Sequence, residues 1–481
     1  MNEAAHADQV STSRGGGPPS PKTRIVILGG GFGGAYTAHY LEKLLRRRTD
    51  VEVVLVSRDN FFVMTPLLFG VCSGTLEMRH ISVPIRAFLR SVRFAEATVC
   101  RIDLGRRVVH AAAEDGDREV SYDHLVLALG ATTNRAMIPG SEHAFTFKTL
   151  ADALVLRNHI IERFERADVA ADPDQRRRLL TFVVIGGGLV GVELFGELTA
   201  FVDEIARLYP HVGRNEARFV LLQGGDRLMP EIDPVLAEYG VRVLGRRTGA
   251  KIRTRAAVQS IEPGKVHLRE ETIEADTIVL AAGVVPSPVV AELPVDKDRR
   301  GHIVVEATMR SRSHPEVWAL GDCAFIPGPD GQPYPTLAQH ALREAKVLAR
   351  NLYAVVNGRP PQPFVFKTLG MMGSLGHYKG FAQAFRMRLR GRLAWWVRRN
   401  YYLQATPGWA RRLRLVIDWA FALLFRPDIV KVDLDREQAA LLRIGASGAA
   451  ETSQLPDGRS AGDPRAGTPP ADARPLAGRS V

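Results

Sequence analysis

The tightest constraint on this chain is a pair of glycine loops, each set between a strand pattern and a helix pattern. Arg24–Gly29 reads RIVILG, a short apolar run suited to a strand buried on both faces. It leads into Gly29-Gly30-Gly31-Phe32-Gly33-Gly34, a helical stretch from Ala35 to Arg47, and a second strand at Val51–Ser57. Leu180–Gly186 reads LTFVVIG and repeats the design. It leads into Gly186-Gly187-Gly188-Leu189-Val190-Gly191, a helix through Leu208, and a strand at Arg218–Gln223. In such a loop the first glycine makes the tight turn and the second lets backbone approach a pyrophosphate. The third lets the helix pack close to the strand. The phosphate then sits on free N–H groups at the helix N-terminus.

One such loop is a weak signal. Two in full context predict an α/β chain with two Rossmann-like dinucleotide-binding domains. Further strands at Asp123–Leu129 and Asp276–Ala281 end alike, in YDHLVLALG and EADTIVLAAG. The chain therefore reads as an internal duplication. The natural pair of ligands is FAD, held permanently, and NADH, which exchanges. For FAD the candidate residues are Gly29, Gly31, Phe32, Gly33 and Gly34, with Ser57 and Arg58 at the strand end and Ala128 and Gly130 at the facing turn. For NAD(P)H they are Gly186, Gly188, Leu189, Val190, Gly191, Gln223 and Gly283. An acid at each strand end would bind ribose hydroxyls. Here Ser57 and Gln223 stand instead, with Asp59 near the first. The neutral Gln223 amide would not repel a 2′-phosphate, so weaker discrimination against NADPH is expected. A solvated strand end fits Gln223 equally well.

The chain has 481 residues, enough for at least two domains. Its three cysteines, Cys72, Cys100 and Cys323, form no CxxC or metal-ligand spacing, so neither a disulfide framework nor a metal site is expected. The polar, Gly-, Pro- and Ser-rich ends, 1–22 and 446–481, read as disordered tails. The N-terminal stretch has no apolar core of the kind a signal peptide needs, and no stretch reaches the roughly 18 uninterrupted apolar residues of a membrane span. Lys and Arg number 64 against 52 Asp and Glu, a formal net charge of +12 that calls for an anionic partner or surface.

The motifs taken in order resemble one family. They are GGGFGG at Gly29–Gly34, TPLLFGVCSG at Thr65–Gly74, LVLALGATTN at Leu125–Asn134 and FTFKTLADALVLRNH at Phe145–His159. Then come VVIGGGLVGVELFGEL at Val183–Leu198, LAAGVVPSP at Leu280–Pro288 and WALGDCAF at Trp318–Phe325. Last are YPTLAQHA at Tyr334–Ala341 and FKTLGMMGSLGHYKGFA at Phe366–Ala382. Over about residues 24–440 the chain resembles the type II NADH dehydrogenases, single-subunit NADH:quinone oxidoreductases of the pyridine nucleotide-disulfide oxidoreductase superfamily. The resemblance implies hydride transfer from NAD(P)H to FAD and two-electron reduction of a membrane quinone, without proton pumping. It implies that Gly321 and Asp322 hold the ribityl or phosphate region of FAD, and that Thr65, Pro66 and Ala338 lie beside the flavin. Gln339 would donate to a quinone carbonyl from a helix starting near Thr336. Glu193 would reach the nicotinamide–flavin contact and join proton handling; Glu197, its neighbour one turn on, reads as a solvated carboxylate. The cysteine pair of the related disulfide reductases is missing, so Cys100 and Cys323 read as small buried hydrophobes.

The expected domain plan is 23–150 and 291–358 for FAD, 151–290 for NAD(P)H, and 359–445 for membrane association and the quinone site. Ten arginines fall in 385–426, interleaved with Trp395, Trp396, Tyr401, Tyr402, Trp409 and Trp419 and opposed only by Asp418. Leu413, Val416, Ile417, Ala420, Phe421 and Leu424 recur at helical spacing. This composition suits an anionic membrane surface, and the same composition could bind nucleic acid or belong to a helix packed on the core. The resemblance to quinone-reducing flavoproteins implies the membrane, with no nucleic acid expected, and a peripheral, monotopic place on the cytoplasmic face of the inner membrane. Trp395 and Trp396 are candidates for the quinone entrance, and a homodimer stays open. So do two other readings: a reductase of a soluble protein acceptor such as a ferredoxin or rubredoxin, and a flavin-loaded redox sensor with an Arg-rich partner-binding end.

Overall fold

The computed structural model describes residues 22–213, 215–384 and 387–431. Both expected tails fall outside the described residues save Lys22, as do 432–445 of the C-terminal segment and Arg214, Phe385 and Arg386.

Each glycine loop rises from the middle strand of a five-stranded parallel sheet. The first sheet runs Val317–Ala319, His124–Leu127, Thr23–Leu28, Val51–Ser57, Arg93–Glu96. The second runs Phe145–Thr146, Thr277–Leu280, Thr181–Ile185, Arg218–Leu222, Ala250–Arg253. The two orders correspond strand for strand. Alternation within each strand serves two cores: Phe182 and Val184 join one with Phe195 and Phe381, while Val183 and Ile185 join the other with Val220 and Ile278. This is why the strands read as unbroken apolar runs.

The first helix spans Phe32–Leu45, three residues earlier than expected, because Gly31 in extended conformation is its N-cap. The second spans Leu189–Ile205 and stops short of Leu208. The duplication extends further than the loops. A three-stranded antiparallel meander precedes the strand that closes each unit, over Thr98–Ser121 in the first and Ser260–Glu274 in the second. Cys100, expected to be buried, is exposed on the first meander. A register shift between Val99 and Arg101 turns its side chain outward.

After the helix Ala338–Val356 the chain forms a small antiparallel sheet, Gly370–Ser374, Gly380–Ala384 and Met387–Arg390. Two helices follow, Gly391–Ala405 and Trp409–Leu424. The sheet sits on the second unit: a Cβ at Gly196 would lie 2.7 Å from the Leu375 carbonyl carbon, so helix and strand meet there backbone to backbone. No helix among the described residues is long and apolar enough to cross a membrane.

Candidate active site

The two cradles share one geometry. Gly29 has φ +102° and Gly186 φ +119°, conformations that side-chain-bearing residues rarely adopt. A Cβ on Gly34 would lie 1.8 Å from the Gly29 carbonyl oxygen, and one on Gly191 would lie 1.8 Å from that of Gly186. These third glycines permit helix–strand contact. A Cβ on Gly31, in contrast, would meet nothing within 4 Å, because this glycine faces open space. That is the opening a pyrophosphate requires.

The space is a cavity of about 1680 Å³, larger than the roughly 300–1,000 Å³ of an ordinary small-molecule site. Gly29, Gly31, Phe32, Gly33, Ser57, Arg58, Thr65, Pro66, Ala128, Gly130, Gly321, Asp322, Ala338 and Gln339 all line it. Leu189, Val190, Glu193 and Gly283 enter from the second unit. Gly186, Gly188, Gly191 and Gln223 lie outside its lining, as does Gly34. The residues present fit a bound dinucleotide at the first loop, with room for a second reactant over it.

Asp322 sits in the short helical turn Gly321–Cys323 after the strand Val317–Ala319. Its carboxylate lies 3.7 Å from the Lys148 ammonium. Burial raises the Asp322 pKa and lowers that of Lys148, each opposed by its partner's charge. The sequence singled out Lys148 only as part of a motif. Its place is set by a capping box: Thr149 Oγ1 accepts from Asp152 N at 3.1 Å, and Asp152 accepts from Thr149 N at 2.9 Å and Lys148 N at 2.8 Å. Behind Asp322 lies the buried Glu344, missed by sequence reasoning, which accepts from Gly321 N at 2.8 Å. Burial pushes its pKa up to about 7.

The helix carrying Gln339 starts at Ala338, two residues past the expected position. Gln339 Nε2 donates to Gly370 O at 2.9 Å and its Oε1 accepts from Leu369 N at 3.3 Å. The amide thus ties down the strand edge and keeps one N–H for the cavity.

Glu193 is buried, and its Oε1 accepts from Ser374 N at 2.7 Å. Arg398 Nη2 lies 2.8 Å from the same oxygen and donates to Pro66 O at 2.6 Å. The guanidinium also covers the Tyr402 ring at 5.0 Å. Burial raises the Glu193 pKa against the pull of Arg398 and the Ser374 N–H. Glu197 is half-buried and accepts from Ser374 Oγ at 2.7 Å, so it is not the solvated carboxylate the sequence suggested. The sheet over helix Leu189–Ile205 removes it from water. Sequence reasoning read Arg398 as one of ten surface arginines. The signal available was its spacing, four residues before Tyr402 and inside an apolar helix face.

The C-terminal helices depart from expectation in two ways. Val397, Tyr401, Tyr402 and Ala405 line the cavity, whereas Trp395 and Trp396 do not. Trp395 packs on Tyr378 and Arg399 instead, and Trp396 is 58% exposed. In Trp409–Leu424, Leu415 and Trp419 dock on the protein, and Asp418 accepts from His80 Nδ1 at 2.6 Å. The stripe Leu413, Val416, Ile417, Phe421, Leu424 faces outward, with Leu424 78% exposed. Several arginines have partners within the protein, among them Arg388 with Asp233 at 2.7 Å.

At the second loop Gln223 is not a solvated strand end. Its Oε1 accepts from Gly187 N at 3.0 Å and its Nε2 donates to Arg227 O at 3.4 Å. Cys72 and Cys323 are buried, and burial pushes both thiols up to about 12, so neither is a thiolate at neutral pH.

The model of the family "Pyridine nucleotide-disulphide oxidoreductase" matches residues 23–345. "Probable NADH dehydrogenase" of Dictyostelium discoideum is 31% identical over 417 residues, 84% of this chain and 90% of its own. "Type II NADH:quinone oxidoreductase NdhA" of Mycobacterium tuberculosis is 30% identical over 425 residues, 84% of this chain and 87% of its own. The solved structure of NDH2 from Plasmodium falciparum in complex with NADH shares the fold, with a TM-score of 0.79 and 19% identity, covering 85% of this chain and all of that one. With a family model spanning both glycine loops and relatives aligned across most of their length, this chain belongs to the pyridine nucleotide-disulphide oxidoreductases, among the type II NADH:quinone oxidoreductases.

Proposed function

We infer that this chain is a flavoprotein that passes hydride from NADH to FAD and two electrons onward to a membrane quinone, without pumping protons. The observation that carries this reading is the shared cavity. Its walls come from the first glycine loop, from Leu189, Val190 and Glu193 of the second unit, and from Tyr401 and Tyr402 of helix Gly391–Ala405. A donor, a carrier and an apolar acceptor thus have one meeting place.

FAD bound at the first loop supplies the two-electron relay between nicotinamide and quinone. The chain's own residues bind and orient. Gly29–Gly34 and the start of helix Phe32–Leu45 would hold the pyrophosphate, with Ser57 and Arg58 at the strand end toward the ribose and Ala128 and Gly130 at the facing turn. Asp322, paired with Lys148, would hold the ribityl or phosphate region, and Thr65, Pro66 and Ala338 would lie beside the ring. Gly186–Gly191, Gln223 and Gly283 hold NADH. Glu193, its pKa raised by burial and held back by the paired Arg398, is placed to take up and release a proton where reduction of a quinone needs one. Gln339 offers its remaining N–H to the acceptor.

The pairing of Val317–Ala319 with His124–Leu127 supports an FAD domain made of 23–150 and 291–358, interrupted by the NAD(P)H domain at 151–290. The outward apolar stripe of Trp409–Leu424, flanked by arginines, supports monotopic association with an anionic membrane; the cytoplasmic face follows from the reading as an NADH:quinone oxidoreductase of the inner membrane. The test is NADH and NADPH oxidation by the purified yellow protein with and without a short-chain quinone. Turnover that quinone does not stimulate refutes the reading.

A further inference from the structure

The duplication supplies an internal control: two loops of equal geometry, one for a ligand that stays and one for a ligand that leaves. They differ at the point where pyrophosphate binds. Around Gly31 the space is open, with nothing within 4 Å of a built Cβ. Around Gly188, its counterpart, the one neighbour within 4 Å is Glu231 Oε1 at 3.8 Å. The same oxygen accepts from Leu189 N at 2.8 Å. Leu189 is the first residue of the helix, and its N–H is one that a dinucleotide phosphate takes.

Glu231 is held there by its loop. Arg227 Nη2 donates to Pro230 O at 3.0 Å and Ile232 O at 2.7 Å, the carbonyls on either side of Glu231. Met229, at φ +46°, donates its N–H to Gly187 O at 2.7 Å, fastening the loop to the glycine turn itself. The side chain is exposed, so it can swing away.

We propose that Glu231 is a built-in competitor for the nicotinamide dinucleotide: its carboxylate occupies the Leu189 N–H and must be displaced when the pyrophosphate of NADH or NAD⁺ arrives. This rests on the reading of Gly186–Gly191 as the NADH loop. Displacement leaves a carboxylate beside an incoming dianion, which weakens binding of substrate and product alike and speeds product departure. Among the described residues nothing stands within 4 Å of a Cβ built on Gly31 in the first loop, in keeping with a cofactor that stays.

The test compares wild type, Glu231→Gln and Glu231→Ala as FAD-loaded proteins, with NADH and NAD⁺ dissociation constants measured by titration. Gln keeps an acceptor of the same shape and removes the charge. An exposed like charge at this range predicts NADH and NAD⁺ binding about 5- to 10-fold tighter in both variants at low salt. The gain shrinks as ionic strength rises, because the repulsion is screened. Inorganic pyrophosphate, used as a probe, should compete with NADH more strongly in Glu231→Gln than in wild type. Flavin content should not change. Unchanged affinity overturns the proposal, and weaker affinity in Glu231→Gln makes Glu231 a ligand of the dinucleotide instead. A wild type that binds NADH normally while Glu231→Gln changes nothing sinks only this inference. A wild type that binds no NADH sinks the reading beneath it.

Discussion

Replacing Arg398 with Met should expose how the site stores a charge. The guanidinium sits 2.8 Å from Glu193 and 2.6 Å from Pro66 O, and both side chains of the pair are less than a tenth exposed. Methionine keeps most of the stem and deletes the charge. Removing one member of a buried pair costs about 3–5 kcal/mol, since the other is left charged in a poor solvent. Burial already raises the Glu193 pKa, and Arg398 is the leading influence against it. Its loss pushes that pKa further up. A carboxyl raised in the folded state keeps its proton there while the unfolded chain has released it. Its folding contribution is therefore full below the ordinary carboxyl range and falls as pH climbs toward the folded value. The Arg398→Met deficit should accordingly be large at pH 8 and small at pH 5. Adding Glu193→Gln removes the stranded charge, keeps an acceptor for Ser374 N, and should restore most of the loss. Urea unfolding followed by tryptophan fluorescence at both pH values measures this cycle. The reasoning fails if Arg398→Met stays within about 1 kcal/mol of wild type at pH 8, or if the double variant is no more stable than the single.

Three other outcomes are expected. Gln223→Glu retains an acceptor for Gly187 N and adds a charge, so kcat/KM for NADPH should fall about tenfold, with NADH within about twofold; equal losses on both would discard the amide argument. Leu413→Asp with Phe421→Asp should cut co-sedimentation with anionic vesicles at least about tenfold and spare short-chain quinone turnover, because neither residue lines the cavity. Glu344→Gln keeps an acceptor for Gly321 N; the buried carboxyl, raised to about 7, makes wild type lose stability as pH rises from its ordinary value near 4.5 through 7. The variant should therefore flatten that decline by about 3 kcal/mol, read as urea midpoints at pH 5 and pH 8, and an unchanged slope would deny Glu344 the role.

What was legible in the sequence was whatever short-range pattern encodes. RIVILG and LTFVVIG announce strands buried on both faces, and the glycines after them announce backbone that must turn and approach. The three-stranded meanders were less visible, because their half-exposed strands alternate weakly and carry charges on the outer face. Cys100 shows the limit: hydrophobicity suggests burial, but one register shift sends the side chain to solvent. Arg398 shows a deeper one. Its composition says surface, and only the packing of helix Gly391–Ala405 against Pro66 and Glu193, more than 200 residues apart from it, reveals an interior charge. Glu231 is the same case at shorter range. Nothing in MPEID marks it, yet a loop gathered by Arg227 brings it to the helix start that the glycine motif advertises. Motifs therefore state where phosphate can bind, and long-range charge placement decides how long it stays. A duplicated fold can keep one dinucleotide and release another with the same glycines, because the difference lies in a carboxylate that the motif does not contain.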